Sequence, residues 1–374
     1  MDLRLTEEEK LIKKTAAEFV DKELLAREGA YLKQTEPFLA PGAPARRELD
    51  GDVRKELTAR ARQVGLWSLE LPEAMGGSVM SAVAQVLIHR EFGRTVLPFM
   101  PVTIPGFMFE TKYGERLANG ELTVSLAFDE AHKTGNLTQL KNLYRQEPDG
   151  AILQNSLIDV FTPSADLFLF PAREQGTQRL GLFVIERDAA GLTIADETDL
   201  TTDATVARLS LHHCRIPNEQ LLGYEYEAGA IIANEQLSIA ARSLGIAMRC
   251  LGASIEHAQS RVTFGRRLAE RQAIQWMLAD LSIELRTCTW LTLETAWRAD
   301  VDEPHFEEAA LAKKRAAKMA FQAADTAIQI HGGYGVCKEF PFEGFYREAR
   351  MMRLLYGREE EINRAAGEKF VRGG

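Results

Sequence analysis

The hydrophobic period of this chain changes twice, and that change limits the possible folds more than any single motif does. Residues 6–28 place Leu11, Ile12, Ala16, Phe19 and Val20 at helical spacing, and 51–70 and 79–96 repeat the pattern. Thr6 with Glu9 three residues on predicts a capping box at the first helix start. Residues 30–50, rich in Pro, Gly and Ala, read as a loop, and Leu71–Gly77 reads as a helix-breaking turn. From residue 120 the runs shorten and fill with β-formers: 122–128, 151–153, 167–170 and 180–185, closing at Cys214–Pro217 and Leu221–Gly223. After that, 227–262, 268–299, 305–332 and 339–370 are four long helical patterns, one striped by Ile274, Met277, Leu278, Leu281, Leu285 and Cys288. The expected architecture is α+β and multidomain. It has an N-terminal α-helical domain (1–119), a small middle β-barrel-like domain (120–224) and a C-terminal four-helix bundle (225–374).

A chain of 374 residues exceeds what one core supports, in keeping with that division. A formal net charge of -9 gives no electrostatic reason to expect nucleic acid or an anionic membrane, so an anionic ligand would need a local basic site. Cys214, Cys250, Cys288 and Cys337 lie far apart and predict neither a zinc cage nor a disulfide framework; a reducing cytoplasm fits. His212-His213 invites a metal reading, but neighbours on a strand point to opposite faces and no carboxylates accompany them, so no metal is expected. The acidic N-terminus and the lack of a membrane-length apolar run predict no leader and no membrane span.

Two clusters carry chemistry. One is Arg261-Val-Thr-Phe-Gly265 followed by Arg271-Gln272 and the helix with Ala279-Asp280; the other is Gln329-Ile-His-Gly332-Gly333-Tyr-Gly335, then Phe340-Pro341 and Arg347-Glu348-Ala349. Together they resemble the signature of the acyl-CoA dehydrogenase family, with Leu71–Gly77 and Glu91-Phe-Gly-Arg94 resembling its N-terminal elements. The resemblance implies FAD as cofactor, with Arg261 on the pyrophosphate, Phe264, Gln272 and Gln329 beside it, and Gly332 and Gly333 allowing close backbone approach. In the family these contacts are shared across a subunit interface. It also implies α,β-desaturation of an acyl-CoA thioester to the 2,3-enoyl-CoA, with electrons passed to an electron-transferring flavoprotein.

That reaction needs a base for the α-proton while the β-hydrogen leaves as hydride to the flavin N5. Most of the family carries the base as the Glu of a Tyr-Glu-Gly-Thr motif. Here the span reads Leu354-Leu-Tyr-Gly-Arg-Glu359, so either Tyr356 or Gly357 occupies that place. The chain thus resembles the branch with its base on the first long helix of the bundle, as in isovaleryl-CoA and long-chain enzymes. Counting 26 residues back from Arg261 reaches Glu235, with Glu359 as the backup base. Ala127–Asn136 departs from the family's flavin-side loop, and Phe161 is the aromatic candidate to stack on the flavin ring. This departure keeps an alternative open: a non-catalytic or half-site subunit of a hetero-oligomer, rather than a homotetramer. An oxidase or reductase on the same fold is a third reading.

Overall fold

The computed structural model describes residues 4–34, 49–101, 104–128, 137, 140–154, 156–177, 179–200, 202 and 204–372. Of the 30–50 stretch read as a loop, residues 30–33 are helical and 35–48 lie outside these, as do residues 129–136 of the segment compared with the family's flavin-side loop. The architecture is a helical N-terminal region, a curled-sheet middle and a helical C-terminal region. The chain divides into two compact units. One joins Met1–Trp67, Met80–Val102 and Asn234–Arg353; the other joins Ser68–Val79, Thr103–Ala233 and Leu354–Gly374.

In the first unit, α1 (Glu7–Phe19) starts on the expected capping box: Thr6 Oγ1 accepts from the Glu9 amide at 3.1 Å, and Glu9 Oε2 accepts from the Thr6 amide at 2.7 Å. A π-type turn over Val20–Leu25 leads into α2 (Ala26–Lys33). Next come α3 (Gly51–Gln63) and α4 (Ala82–Phe92). The third helix is shorter than its apolar pattern, because the chain turns at Val64 and Gly65, whose φ is +72°. The N-terminus of α4 is capped by Ser81 and also by Asp300, whose carboxylate accepts from the Ala82 and Val83 amides at 2.6 and 3.1 Å.

The long helix α6 (Glu225–Ser260) crosses α4 with almost no side chain between them. A Cβ on Gly93 would sit 2.3 Å from the Arg242 carbonyl oxygen, and one on Gly245 would sit 2.1 Å from that of Arg90. Gly245→Ala should therefore force the helices apart and destabilise the protein by about 1–3 kcal/mol, read as a lower urea midpoint with little change in slope. A buried charge network ties the same helices to the N-terminal region. Glu28 Oε1 accepts from Thr95 Oγ1 at 2.9 Å and from the Val96 amide at 3.1 Å, while Arg249 lies 3.3 Å from Glu28 Oε2.

His89 on α4 is 3 % exposed, and among the described residues neither of its ring nitrogens finds a hydrogen-bond partner. Burial, reinforced by the Arg242 charge, holds its pKa down at about 4, against 6.5 for a free imidazole. Above the unfolded value both states are neutral and the group is silent. As pH falls from 6.5 toward 4, the unfolded chain takes up a proton that the folded protein refuses. The loss should reach about 3 kcal/mol in that window. Urea midpoints across this pH range should fall less steeply in His89→Leu than in the natural chain.

The middle of the chain follows a short α5 (Gly114–Ala118) and is built from two sheets. The larger contains β1 (Val124–Leu126), β2 (Leu143–Glu147), β3 (Gly150–Leu153), β5 (Leu167–Glu174), β6 (Leu180–Glu186), β9 (Cys214–Pro217) and β10 (Leu221–Gly223). Its order is β10-β6-β5-β2-β3-β9, with β1 pairing parallel to β5. The smaller sheet, β4-β8-β7, comprises β4 (Ser156–Val160), β7 (Leu192–Asp199) and β8 (Thr205–Leu211). Both contribute to one core, including Phe168, Phe170 and Phe183 from the larger and Ile158, Val160 and Leu209 from the smaller. Tyr144 meets Phe183 edge-on at 4.9 Å.

The C-terminal region departs from four continuous helices. After α6 come a small hairpin, β11 (Val262–Thr263) with β12 (Arg266–Arg267), and then α7 (Gln272–Asp300) and α8 (Phe306–His331). The fourth pattern, however, is split into α9 (Phe342–Met352) and α10 (Glu359–Arg372). Its break holds Tyr356 at φ +49° and Gly357 at +109°, left-handed backbone that a continuous α-helix does not contain. The histidine pair also departs from expectation: His212 and His213 follow β8 in a bend rather than on a strand, with His213 at φ +48°. Among the described residues, no group of His, Cys, Asp and Glu is placed to hold a metal ion, and no helix is long and apolar enough to cross a membrane.

Candidate functional site

The C-terminal end of α6, the β11–β12 hairpin and the C-terminal end of α8 surround a cleft of about 500 Å³. Arg261, Gly332 and Gly333 all line it, so the structure brings together three residues from motifs far apart in sequence. Arg261 is held by its backbone: its amide donates to the His257 carbonyl at 2.8 Å and its carbonyl accepts from the Leu268 amide at 3.0 Å. The hairpin turns on two residues, Phe264 and Gly265, at φ +49° and +74°. These left-handed angles suit a two-residue turn, and Gly is the residue that takes them without strain. Arg271 locks the hairpin, donating through Nη2 to the Thr263 carbonyl at 2.6 Å and to its Oγ1 at 3.1 Å.

The cleft has the chemistry of an anion site. Among the described residues no Asp or Glu lines it, while Arg261, two imidazoles and a threonine do. Its glycines differ in role. Gly332 needs its φ of +60°, and a Cβ on either Gly332 or Gly333 would meet nothing within 4 Å, which leaves room for a ligand. Gly335 is structural, because a Cβ there would lie 2.3 Å from the Ile328 carbonyl oxygen.

The other expected cofactor residues are near but do not line the cleft. Phe264 is 97 % exposed at the hairpin tip, with the Arg271 guanidinium 6.0 Å from its ring centre. Gln272 opens α7 and Gln329 lies on the last turn of α8, both exposed. Sequence reasoning missed His257, Thr263, His331, Tyr334 and Cys337, which also line the cleft. Two of these had a readable signal: His257 precedes Arg261 by one helical turn, and His331 directly precedes the glycines. A second cleft of about 760 Å³ shares His257 and His331 and is walled by Phe340, Pro341 and Phe342.

Glu235 is half-buried on α6. It precedes Arg261 by 26 residues, about 39 Å of helix at 1.5 Å per residue. That separation puts the two candidate residues far apart along one chain. Glu359 is half-buried as the first residue of α10, and Phe161 is half-buried just after β4.

Comparison with known proteins agrees with this reading of the fold. The model for the acyl-CoA dehydrogenase N-terminal domain matches residues 6–110, and that for the C-terminal domain matches 223–369. The chain is 26 % identical to (R)-benzylsuccinyl-CoA dehydrogenase of Thauera aromatica, over 100 % of this chain and 98 % of that one. It is also 26 % identical to 3-(aryl)acrylate reductase of Clostridium sporogenes, over 95 % and 96 % respectively. The structure of butyryl-CoA dehydrogenase from Megasphaera elsdenii matches all of both chains with a TM-score of 0.81 at 21 % identity. With the helix–sheet–helix order found here and both terminal domain models matched in place, the chain belongs to the acyl-CoA dehydrogenase family of enzymes.

Proposed function

We propose that this protein is an FAD-dependent acyl-CoA dehydrogenase that converts an acyl-CoA to its 2,3-enoyl-CoA with Glu235 as the base. The observation that carries the reading is the acid-free cleft in which Arg261 faces the Gly332-Gly333 turn with open space above both glycines. A dinucleotide pyrophosphate fits that set: the guanidinium supplies paired charged donors, and the glycines let backbone come close. When bound, the flavin supplies a hydride acceptor for the β-hydrogen. Glu235 takes the α-proton, since Tyr356 or Gly357 stands where most of the family carries its carboxylate.

The separation of Glu235 from Arg261 supports an oligomer in which each cofactor is held by two copies. Trp276, Ile283 and Trp290, seven residues apart on α7 and all exposed, form an apolar stripe suited to subunit contact. A homotetramer is the simplest such assembly, acting in the cytoplasm with an electron-transferring flavoprotein as acceptor. The similarity to an arylacrylate reductase supports a second reading, the same site run in the reducing direction.

Purified protein should be yellow, and its flavin should bleach anaerobically when a panel of acyl-CoA thioesters is added. Bleaching by none of them, with reoxidation of chemically reduced flavin by enoyl-CoAs, would favour the reductase. A colourless protein that takes up no FAD would overturn the cofactor assignment and favour the half-site subunit.

A further inference from the structure

The wall between the two clefts is an imidazole stack. His257 on α6 and His331 at the end of α8 lie with ring centres 4.4 Å apart and planes 28° from parallel, and both residues line both clefts. His331 is 7 % exposed and pinned. Phe342 covers another side of it at 4.4 Å, and the His331 Nδ1 lies 2.7 Å from the Ala327 carbonyl oxygen. A carbonyl only accepts, so Nδ1 carries the hydrogen and Nε2 is the nitrogen left to take up a proton. Arg261, one turn beyond His257, faces the same space.

We infer that the His257–His331 stack makes cofactor binding proton-linked: an anionic phosphate drawn into the cleft by Arg261 stabilises an imidazolium on the stack, so the site takes up a proton as it fills. This rests on the dinucleotide reading of the cleft given above.

The surroundings support the assignment. Arg249 and Glu256 face this region from α6 and Arg261 from just beyond its end; Glu91 and Arg94 face it from the end of α4 and the turn after it. Tyr334 and Cys337 face it from the turn after α8. The carboxylate of Glu91 is already engaged by Arg90 and Arg94 at 2.9 and 3.0 Å, and Arg249 is turned to Glu28. Among the described residues, no carboxylate pairs with either imidazole. An incoming phosphate would therefore be the counter-ion the stack lacks.

Without a ligand, both histidines are pushed below the usual imidazole pKa, mainly by burial. For His257, the neighbouring His331 and Arg261 add to the effect. Near neutral pH the empty site is uncharged at the stack. A bound pyrophosphate raises the pKa, so affinity is highest below the bound value and weakens as pH rises through it. Two imidazolium rings at this spacing repel each other, so the uptake should approach one proton and not two.

The test uses the holoprotein stripped of flavin and titrated with FAD, whose pyrophosphate has no group titrating in the range used. The dissociation constant, read from flavin fluorescence, should rise about tenfold between about pH 6 and pH 8. Calorimetry in two buffers of different ionisation enthalpy should show net proton uptake near about pH 6.5. His257→Gln, which cannot titrate, should flatten the profile, and His257→Gln with His331→Gln should abolish it. FAD binding by the unmodified protein with a flat pH profile and no proton uptake overturns the inference while leaving the cofactor reading intact. Failure to bind FAD at any pH overturns both. The calorimetric arm needs no variant, so a substitution that fails to fold does not blunt the test.

Discussion

Glu235→Gln is expected to leave flavin bound and yet abolish its bleaching by acyl-CoA, with kcat reduced by about 10³-fold or more. The amide matches the carboxylate in shape and keeps hydrogen-bonding capacity, so what is lost is the ability to accept the α-proton. Flavin absorbance and thermal midpoint should therefore stay near those of the unsubstituted protein while anaerobic reduction stops. Glu359→Gln, beside the break between α9 and α10, should change turnover less than about threefold if it only solvates the helix N-terminus. The reverse pattern, with turnover surviving in Glu235→Gln and lost in Glu359→Gln, would move the base to α10. Glu235→Asp is expected to be intermediate, because the shorter side chain keeps the charge but shifts the carboxylate by about one bond from its place.

Arg261→Ala should weaken FAD binding by roughly 100-fold, about 3 kcal/mol, the scale on which a charged hydrogen-bonded partner is lost. Arg261→Lys should recover part of this, because an ammonium supplies the charge without the paired donors. Gln272→Ala and Gln329→Ala should cost only about 1 kcal/mol each, as both side chains are exposed and neutral. Ultrafiltration of each variant with FAD ranks them directly. Equal retention by all four would show that the cleft does not hold the pyrophosphate. These losses should appear at fixed pH, separately from any proton linkage at the histidine stack.

The legible and illegible parts of the fold follow from how each element is buried. Strands β5 and β6 are buried almost end to end, so they read as continuous apolar runs and are legible. Strands β4, β7 and β8 form the smaller sheet, and their polar-interrupted sequences give a weaker signal that does not stand out. The long helices are legible because each keeps an apolar stripe over many turns. The interruption at 353–358 is not, since an apolar pattern continues through it while Tyr356 and Gly357 adopt left-handed backbone. At the cleft, Arg261, Gly332 and Gly333 are readable from their motifs, whereas His257 and His331 look like ordinary helix residues until their helices meet.

What the amino-acid order settled unaided was local: the capping box at Thr6, the helical periods, the β-rich middle and the two motifs that mark the family. These depend on neighbours within a few turns, and so are written in spacing and residue type. The close crossing of α4 and α6 at Gly93 and Gly245, the acid-free lining of the cleft and the stacking of His257 on His331 were decided only by tertiary structure. Each requires side chains or backbone from separate helices to meet. Periodicity says which face of a helix is buried, but not which residue of another helix lies against it.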